Sequence, residues 1–209
     1  MTIHQLTQRT RLLEIPDMKG LFGVSQIVGV IDDSNAIYLI DSGLGPDHIR
    51  VIVTSTDRPV HLILTHGHWD HIWGGEAITG NIYAHELTKE TISPKDFKKF
   101  KRYHRGVTKL TYPTVTFSES LILGHLELFH TPGHTSDSIS IWDPVDHMLF
   151  VGDNLFVEHR DRSLTKEHLA SLKLYREFDF QYIIPAHIKA MERKHLEEAI
   201  HRLEGELTD

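Results

Sequence analysis

Short apolar runs that lead directly into a histidine or an aspartate constrain this fold more than any other feature of the chain. Such runs cover residues 36–40, 60–64, 148–151 and 182–184, and each is followed within three residues by an Asp or a His. The runs have the length of buried strands. Binding and catalytic residues are also often on loops at the ends of strands, where a rigid scaffold positions them. The pattern therefore predicts an α/β fold with a polar site at its strand ends.

The predicted elements form two successive sets of strands, each followed by helices. Strands are predicted at 11–15, 27–31, 36–40, 60–64, 114–117, 121–123, 126–130, 138–142, 148–151 and 182–184, and helices at about 47–55, 85–106, 166–178 and 191–204. Two such sets favour two sheets packed face to face with helices outside, a four-layer αβ/βα sandwich. Because no linker-like or low-complexity tract interrupts the chain, we expect a single domain over residues 1–209.

Composition excludes several classes of protein. Hydrophobic residues make up 40% of the chain and charged residues 24%, as in ordinary globular proteins. The net charge of −7 opposes binding to nucleic acid unless a local basic patch exists. The absence of cysteine excludes disulfides, thiolate metal sites and a cysteine nucleophile. The sequence has no secretion signal and no apolar run near the ~20 residues that span a bilayer, so we expect a cytoplasmic protein without a membrane partner.

The segment 66–71 holds four metal-binding side chains within six residues: His66, His68, Asp70 and His71. His66 and His68 are two positions apart at the end of a strand, so their side chains project to one side. Four ligands would crowd one tetrahedral ion but suit two neighbouring ions. A chance match to this spacing has a probability of roughly one in a hundred in such a chain. We also expect Asp70 to cap a helix that starts near Ile72.

Three further candidate ligands follow later strands. They are His134, Asp153 and His187, each just past an apolar run. Imidazole and carboxylate groups at strand ends match the ligands of zinc and similar metals. The chain has 17 histidines in all. Of the others, we expect His168, His195 and His201 to be solvated residues on surface helices.

The ordered set of motifs resembles the metallo-β-lactamase superfamily over nearly the whole chain. The resemblance implies the αβ/βα sandwich of that family, with metals at one edge between the two sheets. It implies one ion on His66, His68 and His134, and a second on Asp70, His71 and His187. Asp153 would bridge both ions. Asp41 matches the family's first motif and would support the histidine loop without binding metal.

The resemblance also implies a reaction. Two divalent ions, with zinc expected and iron or manganese open, would activate a metal-bridged hydroxide to attack a small ester, thioester or lactone. Asp70 and Asp153 are the expected catalytic residues, and Asp70 would also orient the water. Three alternatives remain open: a mono-iron oxidoreductase like the sulfur dioxygenases of this family, a phosphodiesterase, and a metal-binding scaffold without catalysis.

The substrate and its pocket are less well defined by the sequence. The motif set is similar to that of glyoxalase II, but we expect this chain to lack that enzyme's glutathione-binding C-terminal domain. Quorum-quenching lactonases have a tyrosine where this sequence has Phe156, which weakens that assignment. Pocket candidates are Trp69, Phe156 and His159. The basic residues between Lys95 and Arg105 either bind an anionic substrate tail or form a solvated helix face. The substrate is expected to be a small molecule, and the oligomeric state is open.

Overall fold

The computed structural model describes residues 1–18, 23–155 and 165–207, and its larger sheet has seven strands in sequential order. These strands are β1 (Thr2–Gln5), β2 (Thr10–Ile15), β3 (Gln26–Asp32), β4 (Ile37–Ile40), β5 (Val60–Ile63), β6 (Ile82–His85) and β7 (Val115–Phe117). Strands β1 to β4 pair antiparallel. Strands β4 to β7 pair parallel, so the carboxyl ends of β4 and β5 lie at one edge.

The second sheet has five strands in the order β12-β11-β10-β9-β8. They are β8 (Ser120–Leu123), β9 (Leu126–His130), β10 (Ile139–Asp143), β11 (Met148–Gly152) and β12 (Tyr182–Pro185). Only β11 and β12 pair parallel, and the other pairs are antiparallel. Strands β9, β11 and β12 therefore run in the same direction, and their carboxyl ends meet at one edge of this sheet as well.

Helices connect the strands and cover the outer faces of both sheets. They are α1 (Pro46–Val53), α2 (Trp69–Ile72), α3 (Thr88–Thr91), α4 (Pro94–Lys99), α5 (Lys166–Leu174) and α6 (Arg193–Glu206), with short 3-10 turns at Pro16–Met18, Trp73–Ala77, Lys101–Tyr103 and Tyr175–Glu177. No helix in the described part of the chain is both long and apolar enough to span a bilayer.

Side-chain alternation along the strands produces a layered core. In β4, Ile37 and Leu39 pack with the helices of the first sheet, whereas Tyr38 and Ile40 pack against the second sheet. In β11, Phe150 enters the same inter-sheet core, while Leu149 packs on the other side with residues of α5 and α6. The central strands of each sheet are thus buried on both faces, which requires the continuous apolar runs seen in β4 and β11. The predicted four-layer αβ/βα sandwich is confirmed.

Backbone hydrogen bonds join the two sheets at the edge where the strand ends meet. Ile139 N donates to Thr65 O over 2.9 Å, and Ile27 N donates to Ala186 O over 2.6 Å. Both bonds cross from one sheet to the other within a few residues of predicted ligands. The relative position of the loops at this edge is therefore fixed by the backbone itself.

The structure adds two strands that were not predicted, β1 and β6, and replaces one predicted helix. The first strand, β1, was not predicted, because its side chains are largely exposed and its apolar signal is weak. Residues 85–106 were predicted to be helical, but His85 ends β6, which lies against β5 in parallel. The rest of that segment forms only the short helices α3 and α4 and one 3-10 turn. Pro94 starts a new helix there, since proline cannot continue the preceding one.

Candidate metal centre

All seven predicted ligands lie at the edge where the strand ends of the two sheets converge. Within the described residues, three groups of side chains have ligand atoms that all lie within 4.8 Å of one another. The groups are His66, His68 and His134; Asp70, His71 and His187; and His66, His71 and Asp153. We call the first group the histidine triad and the second the mixed triad. Each triad takes residues from loops of both sheets.

The histidine triad has its ring nitrogens almost in contact. His68 Nδ1 lies 3.0 Å from His66 Nε2 and 3.0 Å from His134 Nε2. Three nitrogens around a tetrahedral zinc ion, with bonds of about 2.0–2.1 Å, are about 3.3 Å apart. His66 is buried, whereas His68 and His134 are half-buried. The triad is therefore compact and accessible from the side of His68 and His134.

The mixed triad is more deeply enclosed. Asp70 Oδ2 lies 3.3 Å from His187 Nε2 and 3.7 Å from His71 Nε2. All three side chains are buried, and His71 is only 2% exposed. One carboxylate oxygen therefore faces two imidazole nitrogens with little access to solvent.

Asp153 lies between the two triads. Its Oδ2 atom is 3.5 Å from His134 Nε2 and 3.9 Å from His66 Nε2 on one side. On the other side it is 3.4 Å from His187 Nε2 and 3.6 Å from His71 Nε2. One oxygen atom is thus close to four ring nitrogens that belong to both triads. The preceding Gly152 has φ 54°, and a Cβ there would lie 2.8 Å from Thr65, so a larger residue would displace this turn.

Asp41 joins the start and the end of the metal-binding segment after β5 without facing the ligand atoms. Its carboxylate accepts hydrogen bonds from Thr65 N and Thr65 Oγ1, each over 2.8 Å. It also lies 2.8 Å from His71 Nδ1. When Nδ1 donates to this carboxylate, Nε2 is left as the free ligand atom of His71.

Other buried groups that the sequence did not reveal hold the remaining ligands. His187 Nδ1 lies 3.1 Å from the carbonyl oxygen of Ser25. The Asn154 side chain accepts from His134 N over 2.9 Å and donates to Tyr175 Oη over 2.9 Å. Of these groups, only Asn154 could be singled out from the sequence, because it directly follows Asp153. Ser25 and Tyr175 are distant in sequence from the ligands that they support.

Gly67 and Asp137 fix the backbone between His66 and His68. Asp137 Oδ2 accepts from Gly67 N over 2.9 Å, and Asp137 is fully buried. A Cβ at position 67 would lie 2.8 Å from Thr91 Cβ, so glycine is required for this close approach. The loop that carries His134 is in this way tied to the loop that carries the first two histidines.

Electrostatics differ between the two triads. Burial, together with the neighbouring His71, holds the pKa of His66 well below its usual value. Burial and His134 also lower the pKa of His68. These rings are therefore neutral at pH 7, which is the form that binds metal.

The mixed triad holds protons instead. Burial alone would lower the pKa of His187, but Asp153 and Asp70 raise it to about 10. Burial would also lower the pKa of His71, but the carboxylates of Asp153 and Asp41 raise it well above its usual value. The same ion pairs lower the pKa of Asp70 and Asp153, against the effect of burial. The mixed triad thus needs positive charge, from protons or from a cation.

The residues present fit a divalent metal. His71 Nε2 and Asp153 Oδ1 are buried and have no hydrogen-bond partner among the described residues. Leaving such atoms unpaired is costly, and a cation next to both would satisfy them. Imidazole and carboxylate donors suit zinc, iron and manganese alike. The assignment of the seven side chains as ligands stays a prediction.

The other predicted positions have different outcomes. Trp69 is half-buried, and its indole stacks on Phe100 with ring centres 4.5 Å apart. Phe156 and His159 lie outside the described residues. Asp70 does not cap a helix near Ile72, because α2 already begins at Trp69 and Asp70 is in its first turn. His168 is not solvated: it is buried, and its Nε2 lies 2.8 Å from Asn154 O.

Comparison with known proteins identifies the family. A model of the metallo-β-lactamase superfamily matches residues 22–187. The hydroxyacylglutathione hydrolase of Legionella pneumophila strain Lens is 30% identical over 135 residues, which is 64% of this chain and 46% of that protein. The probable metallo-hydrolase YybB of Bacillus subtilis is 28% identical over 142 residues, 63% of this chain and 62% of that protein. The chain spans about half the length of the curated relatives it matches.

Solved structures share the fold. A metallo-β-lactamase from Erythrobacter litoralis aligns with a TM-score of 0.75 and 19% identity, over 97% of this chain and 96% of that one. The metallo-β-lactamase FIM-1 from Pseudomonas aeruginosa, in its mono-zinc form, also has a TM-score of 0.75, with 22% identity over 98% of this chain and 95% of that one. The match of the family model over most of the sequence, on this fold, shows that the chain belongs to the metallo-β-lactamase superfamily.

Proposed function

We propose that this protein is a dinuclear metal-dependent hydrolase that acts on a small ester, thioester or lactone. The observation that carries the proposal is the position of Asp153 Oδ2, which lies within 3.9 Å of ring nitrogens from both triads. A carboxylate placed between two sets of ligands suits two ions that share it. Relatives named hydroxyacylglutathione hydrolase and probable metallo-hydrolase support the reaction class.

The roles of the ligands follow from their surroundings. We assign one ion to the histidine triad, the second to the mixed triad, and the bridging position to Asp153. Zinc is the expected metal for both. Two such ions, when bound, lower the pKa of a water molecule toward neutrality and polarise the bond that is attacked. Because each triad draws residues from both sheets, the proposal includes a single metallo-β-lactamase-like domain.

The protein's own groups direct the attack. Asp70 and Asp153 remain ionised, since their pKa values are lowered, and an ionised carboxylate is able to accept a hydrogen bond from a water molecule. We assign to Asp70 Oδ2 the orientation of the attacking water. Asp41 keeps His71 in the tautomer that presents Nε2. Side chains that are already held in place in this way do not need to rearrange during the reaction.

A hydrolase panel on protein of measured metal content tests this function. The panel contains small aryl esters, thioesters and lactones, with a nitrophenyl phosphodiester and an assay of oxygen consumption with a persulfide. We expect turnover of at least one carboxylic ester, thioester or lactone that rises with metal content. Turnover of the phosphodiester alone would favour a phosphodiesterase. Oxygen consumption by protein with one bound iron would favour the mono-iron oxidoreductase.

A further inference from the structure

One surface of the protein has a charge opposite to that of the rest. Residues 95–105 contain six lysines and arginines and a single aspartate, a net charge of +5. The remainder of the chain then has 16 basic and 28 acidic residues, a net charge of −12. Five of the six cations are exposed, and we call them the basic patch: Lys95, Lys98, Lys99, Lys101 and Arg102.

The basic patch has no ion-pair partner in residues 1–18, 23–155 and 165–207. Within the described residues, none of its five cations has a carboxylate oxygen within 4.0 Å. Arg105, the sixth cation of the segment, is instead paired with Asp17. A group of like charges that repel one another, without internal partners, attracts an anion from outside.

Aromatic packing connects the basic patch to the metal-binding loop. Trp69, which lies between His68 and Asp70, stacks on Phe100 and contacts Tyr103, with ring centres 5.6 Å apart in the second pair. Lys99 Nζ lies 4.7 Å from the Phe100 ring centre, and the Arg102 guanidinium lies 4.8 Å from that of Tyr103. From the Trp69 indole, both charges are therefore at most about 10 Å away.

The position and rigidity of the segment suit a substrate-binding role. The histidine triad is accessible from the side of His68, the residue that precedes Trp69. Arg105 N donates to Leu44 O, and Asp47 N donates to Arg105 O, each over 3.1 Å, so the end of the segment is held by the backbone. Because the backbone is held at this end, the segment itself need not become ordered when its side chains bind a ligand.

We propose that the basic patch binds an anionic group of the substrate, so that the preferred substrate is an ester or thioester with a carboxylate or phosphate remote from the scissile bond. This inference rests on the proposed hydrolase function and adds the substrate class. A small anion fits better than nucleic acid, because the net charge of −12 elsewhere repels a long polyanion.

A series of ω-carboxyacyl thioesters of increasing chain length, each paired with a form in which the carboxylate is replaced by a primary amide, tests the proposal. We expect the free carboxylate to raise kcat/KM by roughly fivefold or more in the longer members, through a lower KM. The preference should decline as salt is added, because exposed charges are screened. The amide forms measure hydrolysis without the charge.

Paired variants locate the effect on the basic patch. The double variant Lys99→Gln/Arg102→Gln should lose the preference for the carboxylate, and Lys99→Arg/Arg102→Lys should retain it. Lys194→Gln, which removes one exposed positive charge on α6, is the matched control and should keep the wild-type preference. Calorimetric binding of the free dicarboxylate, weaker in the Gln double variant, gives a readout that does not depend on turnover.

The outcomes separate the two proposals. Hydrolysis of the carboxylate and amide forms of the thioesters at equal kcat/KM, or a preference that survives in the Gln double variant, would overturn the anionic-substrate inference and leave the hydrolase proposal intact. Failure of the metal-loaded protein to hydrolyse any thioester, lactone or ester would overturn both. Loss of the preference in Lys194→Gln would also count against the basic patch, since the effect would then follow net charge alone.

Discussion

The two triads are built from similar residues, but they differ in burial and charge. The histidine triad has two half-buried rings and no carboxylate of its own, and the pKa values of His66 and His68 are lowered. The mixed triad is fully buried, contains Asp70, and raises the pKa of His187 to about 10. The first set is therefore ready to bind a cation at pH 7, whereas the second must first release protons. The two sites should differ in affinity and in sensitivity to pH.

Loss of the carboxylate shared by the triads should have the largest effect. Asp153→Ala removes the only oxygen close to both triads within the described residues. We expect kcat/KM to fall by roughly a hundred- to a thousandfold, because charge stabilisation at the reacting centre is lost. Steady-state kinetics and metal analysis measure this. Asp179→Ala is the control, since that carboxylate is 97% exposed and precedes the amino end of β12, whereas the ligands follow the carboxyl ends of the strands. Wild-type rates in Asp153→Ala would refute the bridging role.

Acidification should separate the triads. Protons on His71 and His187 compete with metal, since both pKa values are raised in the metal-free protein. Binding at the mixed triad should weaken by about tenfold per pH unit for each proton displaced as the pH falls from 8 to 6. The histidine triad, in which the pKa values of His66 and His68 are lowered, should retain its ion.

Calorimetry in buffers of different ionisation enthalpy counts the protons released as each ion binds. We expect proton release to accompany binding at the mixed triad and little release at the histidine triad. Equal release at both sites would show that the charge difference between the triads does not control binding.

A change at Asp41 should affect one triad selectively. Asp41→Asn removes the charge that fixes Nδ1 of His71, while asparagine tolerates the positive φ of 60° at this position. We expect metal affinity at the mixed triad to fall by about 10- to 100-fold, as for other outer partners of metal ligands. Competition with a chelator measures each affinity. An equal loss at the histidine triad would indicate general damage to the fold.

The smallest effect should come from the polar network behind His134. Tyr175→Phe removes hydrogen bonds to Ser140 Oγ, at 2.7 Å, and to Asn154 Nδ2, at 2.9 Å. We expect a loss of about 1 kcal/mol in the free energy of unfolding. Affinity at the histidine triad should decrease slightly, with no change at the mixed triad. Tyr112→Phe, at a residue that is 44% exposed, is the control for denaturant unfolding.

Strand ends were predictable because burial on both faces leaves a continuous apolar run in the sequence. The runs before Asp41, His66 and Asp153 are of this type, and they locate three of the loops at the site edge. The four-layer sandwich follows from the order of these runs. Local sequence is sufficient to predict the position of a strand wherever that strand is buried along its whole length.

Features that depend on tertiary contacts were not predictable. Residues 85–106 have the composition of a helix. Pro94 is a local signal for one break, but the packing of Phe97 on Trp73 and of Phe100 on Trp69 is not visible in the sequence. His168 resembles a solvated residue until the turn after β11 brings Asn154 O against its ring. The partners of Asn154 were equally hidden, since His134 and Tyr175 are about twenty residues away on either side.

Native mass spectrometry of the zinc-loaded protein counts the ions at the two triads, with His134→Ala and His187→Ala as paired variants. We expect two ions per chain in the wild type and one in each variant. At pH 6, His187→Ala should keep its ion and His134→Ala should lose it, because protons on His71 compete with metal at the mixed triad. A single ion in the wild type, or the loss of both ions in both variants at pH 8, would contradict a centre made of two triads joined by Asp153.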